Sequence, residues 1–372
     1  MKKFDVIKQE DSLEFLNDDW LDVEELDSDG LPKFLDVSVG LANPPKLPQE
    51  LIEGVVRVGH KMMISGASKS GKSFLLMELA IALSEGVKWL GFQCKKSKVL
   101  YINLEIDRPS FINRFIQIYE AMKLKPKHNH DIAIWNLRGE SMPLDKLATI
   151  LIRRVFLRGY DAIIIDPIYK VMIGDENNAT DMAQFTNVFE KICYETGCTF
   201  VYSHHHSKGA QGFKKSMDRA SGSGVFSRDA DAQVDMIQLN LVEVPSRNNP
   251  EESSATAWRL ESSLREFRSF KPVNIWFEYP IHRVDEAGKL EKNYADGDPR
   301  VNLFKSYKRN QTTESRKEEF DEAFDNNKKK DGTCLAFVIA EYLGIDERTV
   351  RDRVKEFSDE YQTKKGIISR KK

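Results

Sequence analysis

The chain has 372 residues, 41% of them hydrophobic and 31% charged, with a formal net charge of −2. That is apolar residue enough for one large core and smaller pieces. No run approaches the ~20 apolar residues that a membrane span needs, so neither a transmembrane segment nor a membrane partner is expected. The opening "MKKFDVIKQEDSLEF" is basic at its start but carries no apolar stretch, so no signal peptide is read there. Cys94, Cys193, Cys198 and Cys334 show no CxxC and no paired metal spacing, and read as reduced thiols of a cytoplasmic protein.

The small net charge hides two opposed ends. Residues 1–36 carry twelve Asp/Glu against four Lys/Arg, and residues 348–372 carry nine Lys/Arg against four Asp/Glu. Residues 1–50 read as an acidic arm and linker closing in "NPPKLP", with one short amphipathic turn around Leu13–Leu21. The arm is a candidate for recruiting a protein partner.

From residue 51 to 284 short apolar runs alternate with helical patterns, the signature of a parallel sheet wrapped by helices. The runs are "KMMIS" (61–65), "KVLYINL" (98–104), "IAIWNL" (132–137), "AIIID" (162–166) and "TFVYS" (199–203). The intervening helices are "SFLLMELAIAL", "PSFINRFIQIYEAM", "LDKLATILIRRVFL" and "DMAQFTNVFEKICYET". Later runs, "AQVDMIQLNLVEV", "ATAWRLESSL" and "VNIWFEYP", read as antiparallel hairpins at one edge. The expected fold class is α/β, with a central, mostly parallel sheet. Residues 285–330, rich in charge, Asn and Gly, read as a linker with some helix. Residues 331–372 read as a helix-turn-helix, winged-helix-like, with "GIISR" as the wing. Its second helix carries Arg348, Arg351, Arg353 and Lys355, cations suited to DNA phosphates.

One stretch carries specific chemistry. "GASKSGKS" supplies Gly66, Ala67, Ser68, Lys69, Ser70, Gly71, Lys72 and Ser73, and fills the phosphate-loop template G-x-x-x-x-G-K-[ST]. Small residues let backbone N–H groups curl around a phosphate, while the helix that follows points its positive end at the same anion, and Phe74 completes the candidate nucleotide-binding residues. The expected ligands are ATP and Mg²⁺, with Lys72 on the β- and γ-phosphates and the Ser73 hydroxyl on the metal.

In an open parallel sheet the chemistry lies beyond the carboxyl ends of the strands. "AIIIDP" ends in Asp166, a carboxylate suited to Mg²⁺. "VLYINLEID" ends in Glu105, which could polarise the attacking water; Asp107 competes, and either could instead start the next helix. "TFVYS" runs into His204, His205 and His206. Consecutive strand residues point to opposite faces, so three in a row cannot grip one zinc ion. His205 or His204 is read instead as a sensor of the γ-phosphate, with a passive packed histidine as the alternative. The glycine-rich loop that follows carries Lys208, Lys214, Lys215, Arg219 and Arg228, and could touch a nucleic-acid backbone or reach a neighbour's nucleotide.

These residues together resemble a RecA-like ATPase, and more narrowly the plasmid and mobile-element replicative helicases of the RepA type, grouped with AAA-family ATPases. The resemblance covers roughly residues 48–245. It implies Glu105 as catalytic base and a strand-end histidine as γ-phosphate sensor. It also implies a homo-oligomeric ring, commonly a hexamer, acting on single-stranded DNA, with an arginine finger donated between subunits. Arg228 is the candidate finger and Arg219 its rival, because the position at which the family's finger aligns holds Asp231.

Overall fold

The computed structural model describes residues 27–31, 33–34, 36–172, 174–206, 219, 228–240, 255–291, 293–295, 313–329, 331–343, 345–364 and 366–371. The expected turn at Leu13–Leu21 and the cations Lys208, Lys214 and Lys215 lie outside these residues. The contacts divide the chain into two units, Met1–Gly297 and Asp298–Lys372.

The first unit begins with α1 (Val37–Ala42) and a small hairpin, β1 (Glu50–Ile52) with β2 (Val56–Arg57). Its centre is a ten-stranded sheet. The parallel part comprises β3 (Lys61–Gly66), β6 (Val99–Asn103), β7 (Ile132–Asn136), β8 (Ala162–Asp166) and β9 (Thr199–His205). A two-stranded hairpin, β4 (Lys88–Trp89) with β5 (Phe92–Gln93), stands apart from the sheet. The crossovers are α2 (Lys72–Glu85), α3 (Arg108–Ala121), α4 (Leu144–Phe156) and α5 (Ala179–Thr196). Beyond them, β10 (Ala232–Asn240) pairs parallel with β3. It is followed by β11 (Thr256–Leu264), β12 (Val273–Glu278), β13 (Ile281–Val284) and the short β14 (Tyr294–Ala295). The spatial order is β13-β12-β11-β10-β3-β9-β8-β6-β7, with β14 on β10, and the late strands are antiparallel as their sequence patterns suggested.

Alternation along the strands builds two cores. Met62, Ile64, Tyr101, Ile164 and Val201 face α2 and α3, whereas Met63, Ile102, Ile163, Ile165 and Tyr202 face α4 and α5. Strands covered on both faces read as unbroken apolar runs, which is why they were legible. Helix α2 is apolar around its whole circumference, with twelve of its fourteen residues buried. No helix among the described residues is long and apolar enough to cross a membrane.

The second unit contains α6 (Thr313–Asn327), β15 (Thr333–Leu335), α7 (Ala336–Leu343), α8 (Glu347–Glu356) and the hairpin β16 (Tyr361–Lys364) with β17 (Ile367–Arg370). A three-stranded sheet, β15-β17-β16, closes it. Here the expected division needs correction. Part of the expected linker 285–330 is α6, whose Phe320, Ala323 and Phe324 lie in one core with Ile339, Val350, Tyr361 and Ile368. The boundary between the units falls at Gly297–Asp298. The helix reads as linker because it is mostly charged, yet three apolar residues at i, i+3 and i+4 suffice to dock it.

Candidate nucleotide site

The loop after β3 is shaped by backbone geometry. Gly71 adopts φ +88° and Lys69 φ +60°, turning the chain sharply before α2. A Cβ on Gly66 would lie 3.0 Å from Ser70 Oγ and 3.2 Å from Met236 Cβ, so a larger residue would crowd the loop against β10. Ala67, Ser68 and Lys69 are exposed at the lip. Helix α2 has no side-chain cap and no acidic residue in its first turn, which leaves its first N–H groups to a ligand.

Two observations test whether a phosphate fits. Ser70 Oγ is buried and has no hydrogen-bond partner among the described residues. Lys72 Nζ folds back onto the carbonyl oxygens of Gly66 (2.9 Å) and Ala67 (2.6 Å) inside the loop. Burial pushes the Lys72 ammonium down to about 8, with Asp166 and Glu105 opposing the shift. A buried ammonium whose closest partners are two loop carbonyls is matched to an incoming anion.

Strand register brings the other groups to this loop. Gly66 stands beside His205 across β3–β9, and Asn103 beside Asp166 across β6–β8. Asp166 is buried and accepts hydrogen bonds from Tyr101 Oη (3.1 Å) and from Ser203 Oγ, which fix its carboxylate at the strand end. The Asp166–Pro167 peptide is cis. Ser73 opens α2 on the same side, so Ser73 and Asp166 can hold a cation between them and the phosphates.

Glu105 lies two residues beyond β6 and is exposed; its charge acts on both Lys72 and His205. Asp107 is otherwise engaged. It caps α3 by accepting from the Ser110 N–H at 2.9 Å and stands 3.5 Å from Arg138, and the Ser110 bonds hold its carboxyl below the usual range.

The three histidines part company. His205 Nδ1 lies 3.4 Å from Lys72 Nζ, and its ring lies 5.5 Å from that of Tyr169. Burial, followed by the Lys72 charge, lowers its basicity, so the ring is neutral near pH 7. His204 is buried, and strand alternation turns it toward the opposite face, so the expectation that it too might face the phosphate needs correction. His206, which the sequence reading left without a role, places Nε2 3.1 Å from Ser65 Oγ and 3.6 Å from Asp235 Oδ1.

The arginines also divide. Arg219 is buried in its own chain, 2.6 Å from Glu261 and 3.4 Å from Asp235, which corrects its reading as a loop cation free for a neighbour. Arg228 is exposed and stands just before β10, at the end of the sheet opposite the phosphate loop. Asp231 accepts from the Lys61 N–H (2.9 Å) and pairs with Arg265 (2.7 Å). In the second unit, Arg353 turns inward to within 3.5 Å of Glu319, so of the four expected DNA cations it is the one withdrawn. Arg348, Arg351 and Lys355 stay exposed.

A glycine loop joining a buried parallel strand to a buried helix, with Asp166, Glu105 and His205 at neighbouring strand ends, has the arrangement of a RecA-like P-loop core. Residues 29–211 match the AAA_25 family profile, described as an AAA domain, over just under half of the chain. Among solved structures, a KaiC-like protein from the hyperthermophilic archaeon Pyrococcus horikoshii OT3 superposes with a TM-score of 0.41 at 16% identity, over 64% of this chain and 95% of that one. The ATPase domain of G40P superposes with a TM-score of 0.43 at 14% identity, over 60% of this chain and 84% of that one.

Proposed function

We propose that this chain binds ATP with Mg²⁺, hydrolyses it, and couples hydrolysis to DNA as a RecA-like motor of the helicase kind, such as plasmids, phages and integrative elements carry. The observation that carries the reading is the convergence of Lys72, Asp166, Glu105 and His205 at the ends of four adjacent parallel strands. The loop N–H groups and the positive end of α2 bind the phosphates, and Lys72 leaves its two carbonyls for the β- and γ-phosphate oxygens. Ser73 and Asp166 would hold Mg²⁺, which would offset the charge of the phosphates. Glu105 orients the attacking water and accepts its proton. His205, neutral and beside Lys72, registers the γ-phosphate. The working form in this reading is a homo-oligomer, a hexamer in number, in which Arg228 of one copy completes the site of the next. The second unit acts as a winged helix that meets duplex DNA through α8.

The test is steady-state ATP hydrolysis without DNA, with single-stranded DNA and with duplex, at two salt concentrations. Phosphate contacts weaken steeply with salt, so true stimulation falls as salt rises. Strong stimulation by single strands supports the motor. Slow turnover indifferent to DNA supports a second reading, a DNA-binding regulator or scaffold that ATP switches without translocation. One observation favours that alternative: Asp231, at the family's finger position, is tied to Arg265 and to the β3 backbone.

A further inference from the structure

We propose that His128, His130 and Asp131 form a binding site for a late divalent transition-metal ion, Zn²⁺ being the type, at the entrance to β7. The three residues fall in "KHNHD" (127–131), which the 3₁₀ turn Asn129–Asp131 carries into the strand. The Asp131 N–H closes the turn by donating to the His128 carbonyl at 2.8 Å. With three residues per turn, His128 and Asp131 come to one face, and His130 reaches in from the side. One ligand atom from each of the three lies within 4.8 Å of the other two. His130 Nε2 stands 3.6 Å from Asp131 Oδ1, and the two imidazole rings are 6.1 Å apart. A tetrahedral ion held at ~2.1 Å sets such donors about 3.4 Å from one another, a separation that small side-chain rotations reach. Strand β7 enters the sheet at the end opposite the phosphate loop, so this ion is distinct from the Mg²⁺ expected with the nucleotide.

The state of these side chains favours a cation. The Asp131 side chain is only 13% exposed, yet among the described residues no hydrogen-bond donor reaches its carboxylate, and His130 is its sole ion-pair partner. A largely desolvated carboxylate without a donor is costly unless a cation compensates it. Neither imidazole makes a hydrogen bond among the described residues, which leaves a lone pair free on each ring. Two imidazoles with one carboxylate suit Zn²⁺ and its neighbours in the series, whereas Mg²⁺ and Ca²⁺ prefer oxygen alone.

The backbone under the ligands is already held. Glu85, the last residue of α2, accepts the N–H of Lys127 at 3.1 Å, the N–H of His128 at 3.1 Å and the Tyr119 hydroxyl at 3.1 Å. One carboxylate thus ties the turn to both α2 and α3. Only side-chain freedom remains to be lost when the ion binds, and groups that fix the backbone of a ligand raise the affinity of its site. His130, 72% exposed, gives the ion its route of entry. Three protein ligands leave a fourth position to water, and the bound ion pins the connection between α3 and β7 to the end of α2.

The experiment titrates the full, untagged chain with Zn²⁺ at neutral pH, without nucleotide or Mg²⁺, in competition with a chromophoric zinc indicator. The expected result is one ion held per chain, with His130→Gln and Asp131→Asn each weakening it by about tenfold or more. Circular dichroism of both variants should match the wild type, which separates lost ligation from lost folding. Zn²⁺ should raise the thermal unfolding midpoint of the wild-type chain and leave the midpoints of the two variants where they are. Co²⁺ in place of Zn²⁺ should give the visible absorption of a four-coordinate ion, and both variants should lose it. Equal binding by wild type and variants would place the ion elsewhere, for example at His204–His206, and overturn the proposal. Absence of binding would overturn it too, and would leave Asp131 and His130 as a plain ion pair. The readout needs no nucleotide, so failure of the ATPase reading leaves it standing.

Discussion

His282 Nδ1 lies 2.7 Å from Glu78 Oε1, joining the edge strand β13 to the second turn of α2 across 204 positions of sequence. Glu78 also accepts the His282 backbone N–H at 3.1 Å. Burial pushes the Glu78 carboxyl above its usual range, and the imidazole beside it pulls back. His282 Nε2, buried and without a hydrogen-bond partner among the described residues, faces the phosphate loop: a Cβ on Gly71 would meet it at 3.2 Å.

This pair gives a stability prediction. Glu78→Ala strands the imidazole N–H and the backbone N–H in the core and should cost about 3 kcal/mol, whereas Glu78→Gln keeps an acceptor and should cost about 1 kcal/mol. Urea titration followed by circular dichroism measures both. Equal losses in the two variants would show that the bond contributes nothing beyond packing.

Gly71→Ala should weaken ATP binding about tenfold, because alanine at φ +88° is strained by about 1–2 kcal/mol and its methyl meets His282. His282→Ala in the same chain should recover the part due to the clash and leave the part due to φ. Isothermal titration of the two single variants and the double variant separates the contributions. Full additivity would mean that the ring never touches the loop.

Lys72 predicts a pH dependence. Its value near 8 in the free chain lies below the ordinary lysine value, so charging it opposes folding; this contribution to stability is present above pH ~10.4 and is lost as pH falls through about 8. Phosphates reverse the preference by holding the ammonium. ATP binding should therefore take up a proton above pH 8, and affinity should fall by up to about tenfold per unit there. Calorimetry in buffers of different ionisation enthalpy reads the proton directly, and a buffer-independent heat at pH 9 contradicts it. Lys72→Ala should lose about 100-fold in affinity and the proton uptake together.

Glu105 and Asp107 are separable in the same assay. Glu105→Gln should retain ATP and lose about 100- to 1,000-fold in turnover. Asp107→Ala should lose about 1 kcal/mol with its cap on α3 and keep its turnover. If Glu105→Gln turns over normally, the base lies elsewhere.

The buried group around Asp235 gives a fifth expectation. Asp235→Ala removes the partner of Arg219 and His206 at a fully buried position and should destabilise the first unit by about 3–5 kcal/mol. Arg219→Met, which leaves no uncompensated cation, should cost less. Thermal melts of both variants decide it.

What could be read in advance follows from the range of the interactions. The phosphate loop, Asp166 and the parallel strands were legible because each is a local pattern: a turn, a strand end, an apolar run buried on both faces. The sorting of the histidines was half legible. Alternation separates His204 from His205, but only pairing of β9 with β3 shows that His205 is the one beside Lys72. Glu78–His282 and Arg219–Asp235 were not legible, since each joins segments whose proximity the sheet order alone creates. Helix α6 was expected only as some helix within a linker, and its place in the core of the second unit was not legible for a different reason. Its charge outweighs its three docking residues in any composition window, although Phe320, Ala323 and Phe324 carry the right spacing.

The burial of α2 has a mechanical consequence. A helix enclosed on every side cannot tilt or slide without opening the core, so its amides should exchange with solvent only when the whole first unit unfolds. The floor of the phosphate loop is thus anchored in the core, and the groups around it best able to move are side-chain tips such as His205 and Glu105.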